Sequence, residues 1–327
     1  MATPAHDRRG QLVERRERIA GFATRGGAGP QLEGLLRDVD DALERLAAGT
    51  YGHCETCHEP IEADRLDADP LIRFCLDHLS PIEARALEHD LELAASVQRT
   101  LLPPAHLIEH GWEMAYHYQP LGTVSGDYCD AVRPATAEGD LVLLLGDISG
   151  KGVAASMLMA HLHASVRTLV GLGLPLPEVM ARANRLFCES TMANHYATLV
   201  CARFGRSGTV DVCNAGHCPP LLVRRNEVVA IEATSVPLGL FCVRDYLTRP
   251  VTLGLGETLV LYTDGVTEAR NHADEEYGED RLRGLVAAVA DKPPQSIVAA
   301  CVQDLATFRG RAKRADDVTL MAVRRVA

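Results

Sequence analysis

The 327-residue sequence has no run of about 18 apolar residues, so no membrane-spanning segment is predicted. The stretch Met1–Gly21 lacks the apolar centre of a signal peptide, so export is not expected and the cytoplasm is the predicted compartment. Positive charge is outnumbered, with 33 Lys and Arg against 44 Asp and Glu. The formal net charge of −11 argues against general affinity for nucleic acid and suits the binding of cations. P-loop, GxSxG and HExxH motifs are missing, which excludes the hydrolytic centres that those motifs mark.

Cysteine is present, but not in the pattern of a disulfide framework. Three of the ten cysteines cluster at Cys54, Cys57 and Cys75, and the other seven are scattered. Two residues separate Cys54 from Cys57 and Cys75 from His78, and seventeen lie between the two pairs. Two such knuckles supply four ligands for tetrahedral zinc at little cost in loop entropy. The sequence therefore predicts one structural Zn²⁺ bound by Cys54, Cys57, Cys75 and His78.

The residues around these ligands, ALERLAAGTYGHCETCHEPIEADRLDADPLIRFCLDH, resemble the zinc finger of the DksA/TraR family over about residues 31–80. His78 stands where that family usually has a fourth cysteine. The polymerase-modulating members carry acidic residues at the tip of a long helical hairpin, where this chain has the loop TRGGAGP at 24–30. We therefore expect a sensing or docking role for this module and keep RNA polymerase only as a secondary partner hypothesis.

A helical segment, 81–102, follows the zinc module and ends at two prolines. Its apolar positions alternate steps of four and three with one polar interruption, as in a short heptad seam of Leu87, Leu91, Ala94, Gln98 and Leu101. Such a helix either joins two copies of the chain into a homodimer or lies on its own domain. The predicted organisation is a helical segment with the zinc finger at 1–80, a linker helix at 81–103 and a further domain at 104–327.

The C-terminal region alternates clusters of strands with pairs of helices, which predicts an α+β sandwich. Strand-like runs occupy 112–119, 127–133, 140–147, 196–204, 209–214, 219–224, 258–263 and 317–323. Helical runs occupy 152–171, 176–190, 279–290 and 295–308.

Aspartates stand at the edges of four of these strands, in SGDYCD, GDISGKG, LVLYTDGVTEA and RADDVTLMAV. Each alone is typical of a turn. Together they predict carboxylates that converge in space, and converging carboxylates repel one another unless a cation neutralises them. Oxygen ligands of this kind suit Mg²⁺ or Mn²⁺, and a pair of such ions about 4 Å apart can activate water and hold a phosphoryl group.

The ordered motifs SGDYCD, GDISGKG, NAGHCPPLL, TDGVTEA and DDVTLMAV resemble the metal-dependent protein serine/threonine phosphatases of the PPM family. The similarity is to the bacterial branch that includes SpoIIE and RsbU, and it covers about residues 112–327. LELAASVQRTLLP resembles the linker that leads into this domain. The resemblance implies a PPM-type α-β-β-α sandwich, with two antiparallel sheets flanked by helices, and two Mn²⁺ or Mg²⁺ ions.

The resemblance also implies roles for individual residues. Asp147 would bridge the two ions, the carbonyl of Ile148 would bind one of them, and Asp264 and Asp316 would hold the other. Asp127 would bind directly or through water, and Asp317 would be a neighbour. The implied catalytic set is Asp127, Asp147, Asp264 and Asp316.

The resemblance does not identify the group that donates a proton to the leaving oxygen, and two positions bear on this question. Ser149 replaces a histidine that eukaryotic relatives have two residues after the bridging aspartate. His217, in NAGH, either replaces that donor or braces a turn before Pro219.

Two functions are compatible with these features. The first is a protein phosphatase acting on phosphoserine or phosphothreonine of a regulatory protein, with a STAS-type anti-sigma-factor antagonist as the expected substrate. The zinc module and linker helix would regulate it. The alternative is a zinc-finger, transcription-associated binding protein whose C-terminal domain is a non-catalytic scaffold.

Overall fold

The computed structural model describes residues 5–23, 30–79, 81–134, 140–191, 195–225 and 227–327. It divides into two compact units, residues 1–90 and 91–327. The loop compared above with the DksA/TraR hairpin tip lies, at residues 24–29, outside the described residues.

The N-terminal unit contains two helices and a small cysteine-bearing segment. Helices α1 (Ala5–Ala23) and α2 (Pro30–Ala48) pack around a minimal core of Leu12, Val39 and Ala42. The segment that follows contains α3 (Ala63–Ala68) and a 3₁₀ turn at Leu76–His78, around a second small core of Cys54, Ile61, Leu66 and Cys75. Cores of this size stabilise a fold poorly, so we expect the segment to depend on an additional cross-link such as a metal ion.

Helix α4 (Pro81–Leu101) crosses the division between the two units. In its second half, Ala95 and Gln98 are buried against the C-terminal unit, whereas Leu93 and Val97 are 54% and 62% exposed. Leu101 packs on the core of the same unit. The C-terminal part of the predicted heptad seam therefore lies on its own domain, and the exposed apolar residues are on another face of the helix.

Two antiparallel sheets form the C-terminal unit. The six-stranded sheet has the order β1-β2-β11-β10-β7-β8, and the five-stranded sheet has the order β3-β4-β5-β6-β9. The strands are β1 (His106–Glu109), β2 (Trp112–Gln119), β3 (Tyr128–Val132), β4 (Leu141–Ile148), β5 (Ala197–Phe204), β6 (Thr209–Ala215), β7 (Leu221–Arg224), β8 (Glu227–Ala230), β9 (Arg249–Thr252), β10 (Thr258–Tyr262) and β11 (Val318–Arg325).

Helices cover the outer face of each sheet. The described helices of this unit after α4 are α5 (Gly152–Gly171), α6 (Leu176–Ser190), α7 (Asp264–Thr267), α8 (Glu279–Ala288) and α9 (Pro294–Arg309). α5 and α6 share a core with the five-stranded sheet, and α8 and α9 share one with the six-stranded sheet. A third core, around Trp112, Leu143 and Met321, lies between the sheets. The predicted α-β-β-α sandwich is confirmed.

Strand β4 shows why the sequence LVLLLGDI is apolar almost throughout. Successive side chains of a strand point to opposite faces. Val142 and Leu144 face the α5–α6 side, and Leu143 and Leu145 face the core between the sheets. Both faces of the strand are covered, so a polar side chain is tolerated only where the strand ends, at Asp147.

By length and composition alone, helix α5 is long and apolar enough to cross a membrane. Seven of its residues are buried in the fold, among them Met159, Leu162 and Val166, because this helix packs on the five-stranded sheet. Its apolar character has an explanation in the core of the domain.

Candidate metal centres

The predicted aspartates all stand at strand ends. Asp127 precedes β3, and Asp147 is the second-last residue of β4. Asp264 begins α7 one residue beyond the end of β10, and Asp316 and Asp317 precede β11. The register between β3 and β4 pairs Tyr128 with Gly146, and its continuation sets Asp127 opposite Asp147. The register between β10 and β11 pairs Tyr262 with Leu320, so these two strands also end together.

Hydrogen bonds join the two strand-end groups across the sandwich. Thr263 and Thr319, at the ends of β10 and β11, both donate their hydroxyl groups to Oδ2 of Asp127. In the other direction, the N–H of Gly126 donates to Oδ2 of Asp317 at 2.8 Å, and the N–H of Leu121 donates to its Oδ1 at 2.6 Å. The ends of both sheets are therefore tied into one site by the side chains of Asp127 and Asp317.

The pKa values of the carboxylates indicate that they lie close to one another. Burial, followed by the charges of Asp264, Asp316 and Asp317, raises the pKa of Asp147 to about 7. Burial and the charge of Asp316 raise the pKa of Asp264. Burial and the charge of Asp147 raise the pKa of Asp127 well above its usual range, against the lowering effect of the two threonine hydroxyls. A group of mutually repelling acidic oxygens with raised pKa values is the donor set that hard divalent cations prefer.

Two glycines permit the close backbone approaches at this site. A Cβ on Gly265 would lie 1.8 Å from the carbonyl oxygen of Asp317, so no other residue fits there without displacing the chain. A Cβ on Gly126 would lie 3.2 Å from the carbonyl oxygen of Ile148 and 3.6 Å from Oδ1 of Asp147. The Ile148 carbonyl, an implied metal ligand, is thus beside the Asp147 carboxylate.

The sequence did not predict the positions of Lys151 and Glu268. Lys151 donates through Nζ to Oδ2 of Asp316 at 3.0 Å and to the carbonyl of Ala315. Burial and the charge of Asp264 raise the pKa of Glu268, which lines a cavity with Gly265 and Asp316. Lys151 lies within GDISGKG and Glu268 within TDGVTEA. Neither the spacing of the residues in these motifs nor their type indicated these contacts.

The structure supports the structural role for His217. The ring is buried, its Nδ1 lies 2.8 Å from the hydroxyl of Thr198, and its backbone N–H donates to Asn214. Burial lowers its pKa to about 4, so the imidazole is neutral near pH 7 and carries no proton to donate as an imidazolium. Ser149 is also engaged, because its hydroxyl accepts the N–H of Tyr196 at 2.9 Å.

The four predicted zinc ligands come together in the N-terminal unit. The ligand atoms of Cys54, Cys57, Cys75 and His78 all lie within 4.8 Å of one another. Sγ of Cys57 is 3.8 Å from Sγ of Cys75, which is 3.3 Å from Nδ1 of His78. Zn–S bonds of about 2.3 Å in a tetrahedron give an S–S edge of about 3.8 Å, so the spacing fits zinc.

The backbone prepares one of these thiols for ionisation. Burial opposes the ionisation of Cys54, but N–H groups of Cys57, Cys75 and Thr56 outweigh it and lower the pKa of Cys54 to about 6. Among the residues that the structure describes, Cys54, Cys57, Cys75 and His78 are the one group of this kind whose ligand atoms all lie within 4.8 Å of one another.

Comparison with known families identifies the C-terminal unit. The family model described as stage II sporulation protein E (SpoIIE) matches residues 137–326, and the chain belongs to this family of PPM phosphatases. A second model, the prokaryotic DksA/TraR C4-type zinc finger, matches residues 49–77. The match ends one residue before His78, the ligand at which the chain departs from a four-cysteine set.

Individual relatives agree with this assignment. Protein IcfG of Synechocystis is 25% identical over 268 residues, covering 72% of this chain and 41% of its own. Phosphoserine phosphatase RsbU of Bacillus subtilis is 27% identical over 187 residues, covering 56% of this chain and 55% of its own. The chain thus spans about half the length of these relatives. The crystal structure of the RsbU and RsbW domains of Rv1364c from Mycobacterium tuberculosis is 27% identical, with a TM-score of 0.59 over 67% of this chain and 63% of its own.

The raised pKa of Asp147 predicts how stability depends on pH when divalent ions are removed. Its pKa is about 7 in the folded protein against an ordinary value of 3.8, so in this range the folded state binds more protons than the unfolded state. The free energy of unfolding should therefore fall as the pH rises from about 4 to about 7. Asp147→Asn should reduce this slope and make the metal-free protein more stable than the wild type at the upper end of the range.

Fluorescence of Trp112, the single tryptophan, reports unfolding of this unit, because its side chain lies in the core between the sheets. Urea midpoints in chelator at several pH values would test the prediction. Equal slopes for the two proteins would contradict the assigned position of Asp147.

Proposed function

We propose that the C-terminal unit is a Mn²⁺- or Mg²⁺-dependent protein phosphatase that hydrolyses phosphoserine or phosphothreonine on a regulatory protein. The observation that carries the proposal is the convergence of Asp127, Asp147, Asp264 and Asp316 from separate strand ends, in a chain of the SpoIIE family. The likeness to the phosphoserine phosphatase RsbU supports the same reaction class.

The proposed ligands for two divalent ions are Asp127, Asp147, the Ile148 carbonyl, Asp264, Asp316 and Asp317. When bound, the ions would supply Lewis-acid activation of water and neutralise charge on the phosphoryl group. Asp127 offers its Oδ1, because its Oδ2 already accepts two hydroxyl groups. Asp317 holds the loop 121–126 through both oxygens, which fits an orienting role beside any direct contact with a metal.

Three further residues bear on how the phosphoryl group is held and on which group protonates the leaving oxygen. Lys151 is placed beside Asp316 and is 59% exposed, so its ammonium can reach a phosphoryl oxygen in the same site. Ser149 and His217 are held in hydrogen bonds of the fold. We therefore propose that water, and not a histidine, protonates the leaving oxygen.

Asp147→Asn should abolish metal-dependent hydrolysis of an aryl phosphate, because the change removes the bridging charge at nearly constant volume. The assay compares chelator with added Mn²⁺ or Mg²⁺. Asp291→Asn, which removes an exposed carboxylate of the α8–α9 loop, is the matched control and should retain activity. Metal-dependent turnover by the Asp147 variant would refute the assignment, and no turnover by the wild type with either ion would favour the non-catalytic scaffold.

We propose a STAS-type anti-sigma-factor antagonist in the cytoplasm as the substrate. The support is the likeness to RsbU and to a structure that joins RsbU and RsbW domains in one chain. Phosphate release from a phosphorylated STAS protein should exceed release from a free phosphoserine peptide at equal concentration. Equal rates would remove the support for this substrate.

We propose that Cys54, Cys57, Cys75 and His78 hold one structural zinc ion, which completes the small core of the N-terminal unit. Cys75→Ser should reduce bound zinc from about one per chain to near zero, because structural zinc requires all four ligands. It should also destabilise this unit, since metal binding supplies folding free energy. Cys242→Ser, at an exposed cysteine of the other unit, is the control. Elemental analysis after gel filtration measures zinc, and retention of zinc by the Cys75 variant would contradict the ligand set.

We propose that the linker helix regulates the catalytic site through Gln98. The buried Gln98 side chain donates to the carbonyl of Ser125 at 2.7 Å and accepts the N–H of Ser125 at 3.0 Å. Ser125 in turn accepts the N–H of Asp127 through its hydroxyl. Movement of α4 would therefore move the loop that positions Asp127.

Gln98→Ala should lower kcat for an aryl phosphate by between about tenfold and about 100-fold, the usual cost of misplacing a catalytic group. Arg99→Ala, at the exposed neighbouring position, should leave kcat unchanged. The urea midpoint of unfolding, followed by Trp112 fluorescence, shows whether a lower kcat comes from a misplaced catalytic group or from an unfolded protein. An unchanged kcat in the Gln98 variant would show that the contact between Gln98 and Ser125 does not influence the catalytic site.

We propose that the chain forms a homodimer through α4, using the exposed face that contains Leu93 and Val97. The buried part of the predicted seam is not free for this contact. Val97→Glu places a charge on the exposed face and should shift the sedimentation coefficient from dimer to monomer without changing the fold. A monomeric wild type, or a variant that stays dimeric, would contradict this surface.

A further inference from the structure

The segment between α9 and β11 has an unusual charge for this protein. It reads RGRAKR from Arg309 to Arg314, with four cations and no acidic residue, in a chain whose net charge is −11. It leads directly into Asp316 and Asp317. The basic segment is therefore adjacent in sequence to the proposed catalytic aspartates.

The structure leaves most of these charges unpaired. Arg314 is anchored, because its Nη1 donates to the carbonyl of Pro120 at 2.7 Å. Arg309, Arg311 and Lys313 have no hydrogen bond or ion pair from their side chains to the residues that the structure describes. Arg281 of α8, by contrast, is paired with Asp304 of α9.

A cavity connects this segment to the site. It has a volume of about 130 Å³, and its lining includes the cations of Arg309, Lys313 and Arg314. The carboxylates of Glu268, Glu276 and Asp316 also line it, but Glu276 is paired with Arg270 and Asp316 with Lys151. Lys313 precedes Asp316 by three residues, a span of at most about 10 Å along an extended chain. A substrate residue three positions from a phosphoserine lies at a similar distance from it, so the cations can reach side chains that flank the phosphorylated residue.

We propose that Arg309, Arg311 and Lys313 form a binding surface for acidic side chains that flank the phosphoserine or phosphothreonine of the substrate protein. This inference rests on the proposed phosphatase function and adds the substrate class: a phosphosite within an acidic segment. A nucleic acid fits this surface less well. A continuous polyanion extends beyond three cations, and the rest of the protein, whose net charge is −11, would repel it.

The test compares phosphoserine peptides of equal length with acidic, neutral or lysine-containing flanks, beside an aryl phosphate that has no flanks. With Mn²⁺ present, kcat/KM should decrease in the order acidic, neutral, basic. The preference should weaken as the ionic strength rises to about 0.15 M and beyond, because exposed charges are screened over about 8 Å there.

The triple variant R309Q/R311Q/K313Q should raise KM for the acidic peptide by about tenfold, the combined effect of three exposed ion pairs, with little change in kcat. Hydrolysis of the aryl phosphate should stay unchanged. The control R185Q/R225Q/R249Q removes the same charge from exposed arginines on other elements and should behave as the wild type.

Fluorescence anisotropy with a phosphonate analogue of the acidic peptide gives a readout that does not need turnover, and the triple variant should bind it more weakly by the same factor.

Turnover of the aryl phosphate without any acidic preference, or an unaffected triple variant, would overturn this inference and leave the phosphatase intact. No turnover of any substrate would instead overturn the proposed function, and this inference with it. Tighter binding of single-stranded DNA than of the acidic peptide, lost in the triple variant, would assign the surface to nucleic acid and also overturn the proposal.

Discussion

Repulsion between buried carboxylates is the constraint on which the rest of this structure depends. Asp127, Asp147 and Asp264 all have raised pKa values because burial and their neighbours both disfavour the charged form. A fold that gathers such groups loses stability unless cations compensate for them. The sandwich tolerates them because each stands at a strand end, where the two cores stop and polar partners are within reach.

The chain prepares this site with groups that are not themselves acidic. Thr263 and Thr319 donate hydroxyl groups to Asp127, and backbone N–H groups of Leu121 and Gly126 hold Asp317. These bonds connect the ends of two different sheets, so the geometry of the site follows from the register of both. Gln98 extends the same network to α4, which links the site to the helix that continues into the N-terminal unit.

The layer architecture and most of its elements were predictable, because long apolar runs with clear periodicity specify them. Helix α5 was predicted at its observed bounds, 152–171, and β2 at 112–119. Strands β1, β8 and β9 were missed, since each has four residues with half-exposed side chains and little apolar alternation. The aspartates could be identified because acids at buried strand ends are unusual. The threonine partners, the pairing of Lys151 and the unpaired basic segment depend on tertiary proximity, which no local pattern reports.

The most direct test of the central claim is Mn²⁺ binding followed by electron paramagnetic resonance of the intact protein. If the aspartates form one centre, the wild type should bind two Mn²⁺ ions whose spectra are magnetically coupled, as expected for ions about 4 Å apart. Asp147→Asn should lose that coupling while the zinc content stays unchanged. Two uncoupled ions in the wild type, or coupling that survives in the variant, would contradict a shared site bridged by Asp147.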